Sequence, residues 1–310
     1  MAAWTVRDFA HSTVRTRQWT MTQKIMSIVN LDKRETNRNS VAMEKEGFIR
    51  TIDALRKDVE VQEVCTDGHL GIKALFSKGM YKDIGVVHCL DIWHGSKNLS
   101  KKIVAAGQQK SCSILLQWDR DICNHFWYCC KIAGTYYEFF DMWVGLLHHV
   151  TGEHEWALGA CRHGPLVDSR EKDWIVKNSP AQQKLREIIM DIRWLKNVHL
   201  YLPFRSTAEL ESFHNHILMY ASKRHSFSPQ GYKARTLLAG LDYNHHLHRP
   251  AKRRQDGSIQ ASSCSEGRLL QGGWHGPDPQ DQKIHAGWES YLVSLPQVLR
   301  NSCRSKSAEA

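Results

Sequence analysis

The chain has 310 residues, 42% of them hydrophobic, and carries 42 Lys and Arg against 32 Asp and Glu, a formal charge of +10. That is enough apolar chain for one large domain or a domain with an insertion. No run approaches the roughly 18 consecutive apolar residues of a membrane span, and MAAWTVRDFAHSTVRTRQ at the start lacks the apolar centre of a signal peptide, so neither a membrane protein nor a secreted one is expected. The surplus of positive charge favours a polyanionic partner, because Lys and Arg set on phosphates release condensed counterions.

Nine cysteines, an odd number, sit in a chain too long to need disulfide staples. They read as reduced thiols of a cytosolic or nuclear protein, with a metal site still open to some of them.

Three short runs rich in β-branched residues read as core strands: Lys24–Leu31, Val61–Thr66 and Ile84–Ile92. Between the first two, Phe48, Ile49, Ile52 and Leu55 recur at helical spacing, and a shorter helix is expected near His69–Ser77. Strand, helix, strand, helix, strand implies a largely parallel sheet. After Trp93 the pattern turns helical, with helices expected over Lys97–Ala106, Ser113–Ile132, Tyr136–Val150, Gln182–Leu195, Ala208–Tyr220 and Pro229–Asn244. Beyond His245 the chain becomes basic and then rich in Gly, His, Pro and Gln, as a partly disordered tail would be. PAKRR at Pro250–Arg254 reads as a solvated basic run or a nuclear import signal.

Four groups of residues carry chemistry. Asp67 follows one expected strand directly, Asp91 lies near the end of the next, and His94 comes three residues later; ligand sites of open α/β sheets gather at that edge, although surface loops also carry Asp and His. Glu209 and Glu211 fall at the start of an expected helix behind Ser206 or Thr207, where they act as ordinary first-turn glutamates or return to the sheet beside Asp67 to hold Mg²⁺. His149, His154, Cys161 and His163 mix imidazole and thiol in one short segment, which suits Zn²⁺ or else a set of structural histidines; their spacing is looser than in most zinc motifs. Lys97, Lys101, Lys102, Lys223, Arg224, Lys233 and Arg235 line a DNA backbone path or simply solvate exposed faces. The aromatic segment Cys123–Cys130 reads as core packing, with base stacking the minor alternative.

Taken in order, TDGHLGIKALF, VVHCLDIWHGSKNLSKKI, NHFWYCC, LLHHVTGEHEW with CRHGPL, ELESFHNHILMYASKRHSF and ARTLLAGLDYN resemble the transposases of Kolobok-type DNA transposons and genes derived from them, over roughly Thr22 to Asn244. The resemblance implies an RNase H-like α/β core with a mainly α-helical insertion and a helical C-terminal part. The expected layout is a divergent segment over 1–21, the first part of the core over 22–95, the insertion over 96–200, the returning helices over 201–246 and a basic tail over 247–310. It also implies a DDE/D triad, Mg²⁺- or Mn²⁺-dependent DNA cleavage and strand transfer (DNA recombination), a DNA partner, possible homo-oligomers and a nuclear location. On this match Asp67 is the second acidic residue, Glu211 the third, and Asp91 with His94 a supporting Asp-x-x-His signature. The Gly/Asp/Ser-rich segment that carries the first aspartate in the family has no match here. Only Asp8 falls nearby, and an N-terminal THAP-type recognition domain is also missing, so impaired catalysis is expected. The alternative is a non-catalytic DNA- or protein-binding module with a zinc-stapled helical insertion.

Overall fold

A computed structural model describes residues 24–157, 159–164 and 172–247, together with the backbone of Ala3 and Trp4. Asp8 and the Pro250–Arg254 run lie outside the described residues. The fold is mixed α/β with helix predominating, and no helix among the described residues is long and apolar enough to cross a membrane. Two compact units form: the chain leaves the first after Gly95, builds the second over Ser96–Leu202, and re-enters the first at Pro203.

In the first unit, strand β1 (Ala3–Trp4) pairs antiparallel with β2 (Val29–Asn30). Helix α1 (Ser40–Leu55) starts at Asn39, whose side chain accepts the Ala42 N–H, and it buries Met43 and then Phe48, Ile52 and Leu55 at four- and three-residue spacing. Strand β3 (Glu63–Thr66), helix α2 (Leu70–Ser77) and strand β4 (Val87–Leu90) follow, with β3 and β4 parallel and Thr66 opposite Leu90. Phe48, Ile52, Val64, Ile72 and Tyr81 form the core over this pair, each side chain contributing about 1.5–3 kcal/mol by leaving water.

The returning segment supplies helices that we label α8 (Ala208–Tyr220) and α9 (Pro229–His245), with a core of Phe213, Ile217, Ala221 and Ala239 against Ile25 and Ile28. Of the expected strand Lys24–Leu31, only Val29 and Asn30 join a ladder. On α9, the Asn244 side-chain amide donates to the Ile25 carbonyl at 2.8 Å and accepts the Ile25 N–H at 2.7 Å, so the backbone of Ile25 is satisfied outside any ladder. Gly240 permits the approach, since a Cβ there would lie 2.8 Å from Ile28 Cδ1.

Helix α3 (Ile92–Gly107) leads into the second unit, which holds α4 (Ile114–Ile132), α5 (Tyr136–His149), the hairpin β5 (Glu155–Trp156) and β6 (Gly159–Ala160), α6 (Pro180–Ile189) and α7 (Ile192–Leu195). Trp118, Trp143, Phe126 and Phe139 are fully buried, and the first two place their indole N–H groups on carbonyls: Trp118 donates to Asp173 and Trp143 to Ile189, both at 3.1 Å. The single helix expected over Gln182–Leu195 is two, because the Asp191 side chain caps a new helix by accepting the Arg193 N–H at 2.9 Å.

Candidate metal centre and acidic edge

Four side chains of the second unit converge. His149 is the last residue of α5, and a turn through Gly152 (φ +77°) brings the chain back as the β5–β6 hairpin. The ladder pairs Glu155 with Ala160, and just outside it the Cys161 N–H donates to the His154 carbonyl at 2.8 Å, so His154 and Cys161 face each other across the hairpin mouth. His163 follows two residues on. All four ligand atoms lie within 4.8 Å of one another. His154 Nδ1 is 3.1 Å from His163 Nε2, His163 Nε2 is 3.3 Å from His149 Nδ1, and Cys161 Sγ is 3.4 Å from His149 Nδ1.

Those three separations are close to the edges of a tetrahedral site. Zn–N bonds near 2.0–2.1 Å and a Zn–S bond near 2.3 Å set ligand-to-ligand edges of roughly 3.3–3.6 Å. A Gly164 carbonyl 2.7 Å from His163 Nδ1 places the proton there and leaves the Nε2 lone pair facing the other ligands, the usual outer support of a metal-bound imidazole. Burial pushes the Cys161 thiol above its ordinary value, so a bound cation is what would draw off its proton. With four protein ligands the site is closed, which is the form of a structural centre rather than a catalytic one. Trp174 covers it, 5.9 Å from the His149 ring and 5.4 Å from the His154 ring. Among the described residues this His/Cys set, which can hold a metal such as zinc, is the one group of three or more candidate ligands that converges.

In the first unit, Asp67 and Asp91 each follow one strand of the β3–β4 pair, and the Asp91 N–H donates to the Thr66 carbonyl at 2.8 Å, so both sit at the C-terminal edge. Their surroundings differ. Asp67 is exposed, whereas Asp91 is 1% exposed and fully engaged. Its Oδ1 accepts the N–H groups of Trp93 at 2.6 Å and His94 at 3.1 Å, capping α3, while Oδ2 accepts the Thr207 N–H at 2.7 Å and the Thr207 hydroxyl. An isolated parallel bridge joins Asp91 to Arg205, and the Arg205 guanidinium pairs with Glu63 on β3. Thr207 therefore spends its side chain on Asp91 instead of capping α8. Glu209 and Glu211 occupy the first turn of α8. His94 lies between the elements, with Nδ1 3.4 Å from Asp91 Oδ2 and Nε2 3.8 Å from Glu211 Oε1.

The basic residues are exposed. Lys102 is paired with Asp191 at 2.8 Å, and Lys97 and Lys101 share its helix. Lys223 and Arg224 lie in the α8–α9 turn, with Lys233 and Arg235 in the first turns of α9, and among the described residues Lys223, Arg224 and Lys233 meet no carboxylate. Arg235 donates to the Tyr220 carbonyl at 2.8 Å and stands 4.7 Å over the Phe227 ring. In Cys123–Cys130, Phe126, Cys129 and Cys130 are buried in the second unit's core. Sequence reasoning did not single out Glu63 or Trp174 as parts of these sites.

Comparison of the chain with protein-family models, with curated proteins and with solved structures finds no match.

Proposed function

We propose that this chain is a DNA-binding protein of cut-and-paste transposase descent, with an RNase H-like first unit and a second unit stapled by one structural Zn²⁺. The observation that carries this reading is the junction at Asp91. One buried carboxylate ties the end of β4, the start of α3 and the residue before α8 together, and so brings Glu211 to His94 at the edge where Asp67 emerges. An α/β unit interrupted by a helical unit and completed by a returning helix with an acidic first turn is the arrangement that the transposase resemblance implies. Asp67 and Glu211 offer the carboxylate oxygens that a hard cation such as Mg²⁺ requires, and the metal would supply charge neutralisation at a phosphodiester. Asp91 is a positioning residue, since its oxygens are taken by backbone and hydroxyl donors. The basic α8–α9 turn supplies phosphate contacts.

Nicking of supercoiled DNA by the purified chain in Mn²⁺ tests the catalytic half of the reading. Residual nicking that disappears in both Asp67→Asn and Glu211→Gln is the expected result of an impaired transposase site. Nicking equal in wild type and both variants would remove the two carboxylates from the chemistry.

The closed His/Cys centre favours a second reading, a zinc-stapled binding module in which the acidic edge does no chemistry. DNA or protein binding that survives Asp67→Asn and Glu211→Gln but is lost with the zinc would select it.

A further inference from the structure

Two cysteines of the first unit stand side by side. Cys65 on β3 and Cys89 on β4 are partners in the parallel ladder, so their side chains leave the same face of the strand pair. Paired strands run about 4.7–4.9 Å apart, inside the roughly 4.4–6.8 Å between Cα atoms that a disulfide spans. Val64 and Thr66 are buried on one face of β3, and Glu63 and Cys65, both partly exposed, alternate onto the other. Among the described residues no other two cysteines face each other across a ladder: Cys112, Cys123, Cys129 and Cys130 lie on or beside α4, and Cys161 belongs to the His/Cys centre.

The two thiols are unequal. Cys65 is open to solvent in part, whereas Cys89 is 0% exposed, and its Sγ lies 3.6 Å from Glu63 Oε1 and 3.5 Å from the Val64 carbonyl as a donor to them. Contact with the Cys65 sulfur, burial and the Glu63 carboxylate all hold the proton on Cys89. A solvent-reached sulfur thus lies against a buried thiol that already donates to a carboxylate.

We propose that Cys65 and Cys89 are a thiol–disulfide pair that hydrogen peroxide closes and a dithiol reopens, a covalent tie two residues before Asp67 and Asp91. Cys65, as its thiolate, attacks the peroxide; the O–O bond breaks, Cys65 becomes a sulfenic acid, and the departing hydroxide takes a proton from solvent in place of the one that Cys65 released. The Cys89 sulfur then bonds to the Cys65 sulfur, the S–O bond breaks, and the Cys89 proton passes by way of Glu63 Oε1 to the departing oxygen as a second water. Two thiols are oxidised and one peroxide is reduced. Closure consumes the S–H that Glu63 accepts and leaves that carboxylate to Arg205. The inference depends neither on DNA binding nor on chemistry at the acidic edge.

The test exposes the full chain, with the His/Cys centre filled with zinc and under native conditions, to hydrogen peroxide beside free glutathione, and maps disulfides by peptide mass spectrometry. A Cys65–Cys89 crosslink, two hydrogens lighter than the reduced peptides and opened by dithiothreitol, is the expected product, and the wild-type map requires no substitution. Cys89→Ala should carry Cys65 on to the sulfinic acid, and Cys65→Ala should slow oxidation of Cys89 by about tenfold or more. Both cysteines still reduced when the glutathione is consumed, or Cys65 oxidised in wild type without the crosslink, overturns the pair. Cys89 oxidised at the wild-type rate in Cys65→Ala overturns the assignment of Cys65 as the sulfur attacked first.

Discussion

Asp91 and Thr207, 116 positions apart, are joined twice: one carboxylate oxygen accepts both the backbone N–H and the side-chain hydroxyl of Thr207. The other oxygen caps α3 through Trp93 and His94. A group 1% exposed that satisfies four donors is costly to remove, because each buried donor left behind loses its partner without regaining water.

Asp91→Ala should therefore lower unfolding stability by about 3–5 kcal/mol. Thr207→Val, which deletes the hydroxyl and keeps the N–H, should cost about 1–2 kcal/mol. Urea denaturation of the two single variants and the double variant checks this, and the double should fall short of the sum, since both remove the same bond.

Cobalt substitution reports on the His/Cys centre. The purified protein should carry about one equivalent of zinc that survives dialysis. After exchange, Co²⁺ should show tetrahedral ligand-field bands with one thiolate charge-transfer band, and Cys161→Ser should lose that band while keeping the ligand-field bands. Chelation should lower the thermal midpoint of wild type and leave His154→Ala little changed. An octahedral cobalt spectrum, or no retained metal, would return the four residues to ordinary packing.

Acid sensitivity should concentrate on α8 and α9. The Tyr220 hydroxyl, with His246 and His216 beside it, holds the Asp242 carboxyl below its ordinary range, although partial desolvation opposes them. A carboxyl depressed in the folded state contributes stability that is fully present above its unfolded pKa and is lost as pH falls through the folded one. The urea midpoint of wild type should thus drop below about pH 4, and Asp242→Asn should flatten that drop.

Glu44→Gln offers a separate check on stability. Burial disfavours the Glu44 charge more than the facing His69 favours it, so the neutral substitute should match or exceed wild-type thermal stability at pH 7. A clear loss of stability would mean that the His69–Glu44 contact is a structural ion pair.

Much of this was legible in sequence because it is local. Helical spacing of Phe48, Ile52 and Leu55 forecast α1, and Ala208–Tyr220 came out with its expected bounds. The His/Cys ligands sit within one short segment, so their composition was visible, but a hairpin mouth rather than a regular motif spacing brings them together, and that depends on the Glu155–Ala160 pairing. What stayed hidden is long-range. Asn244 takes the backbone of Ile25, Asp91 bonds Thr207, and Glu44 meets His69; no periodicity in a single chain marks such pairs.

DNA affinity as a function of salt tests the central claim most directly. If Lys223, Arg224, Lys233 and Arg235 contact phosphates, four released counterions give a slope of about −3.6 in log affinity against log salt, or roughly a hundredfold loss between 50 and 200 mM. Replacing Lys223, Arg224 and Lys233 by Glu should weaken binding and make the slope shallower by about three. Duplex binding with that slope is the expected result; no binding, or an affinity indifferent to salt, would contradict a DNA-binding role for this chain.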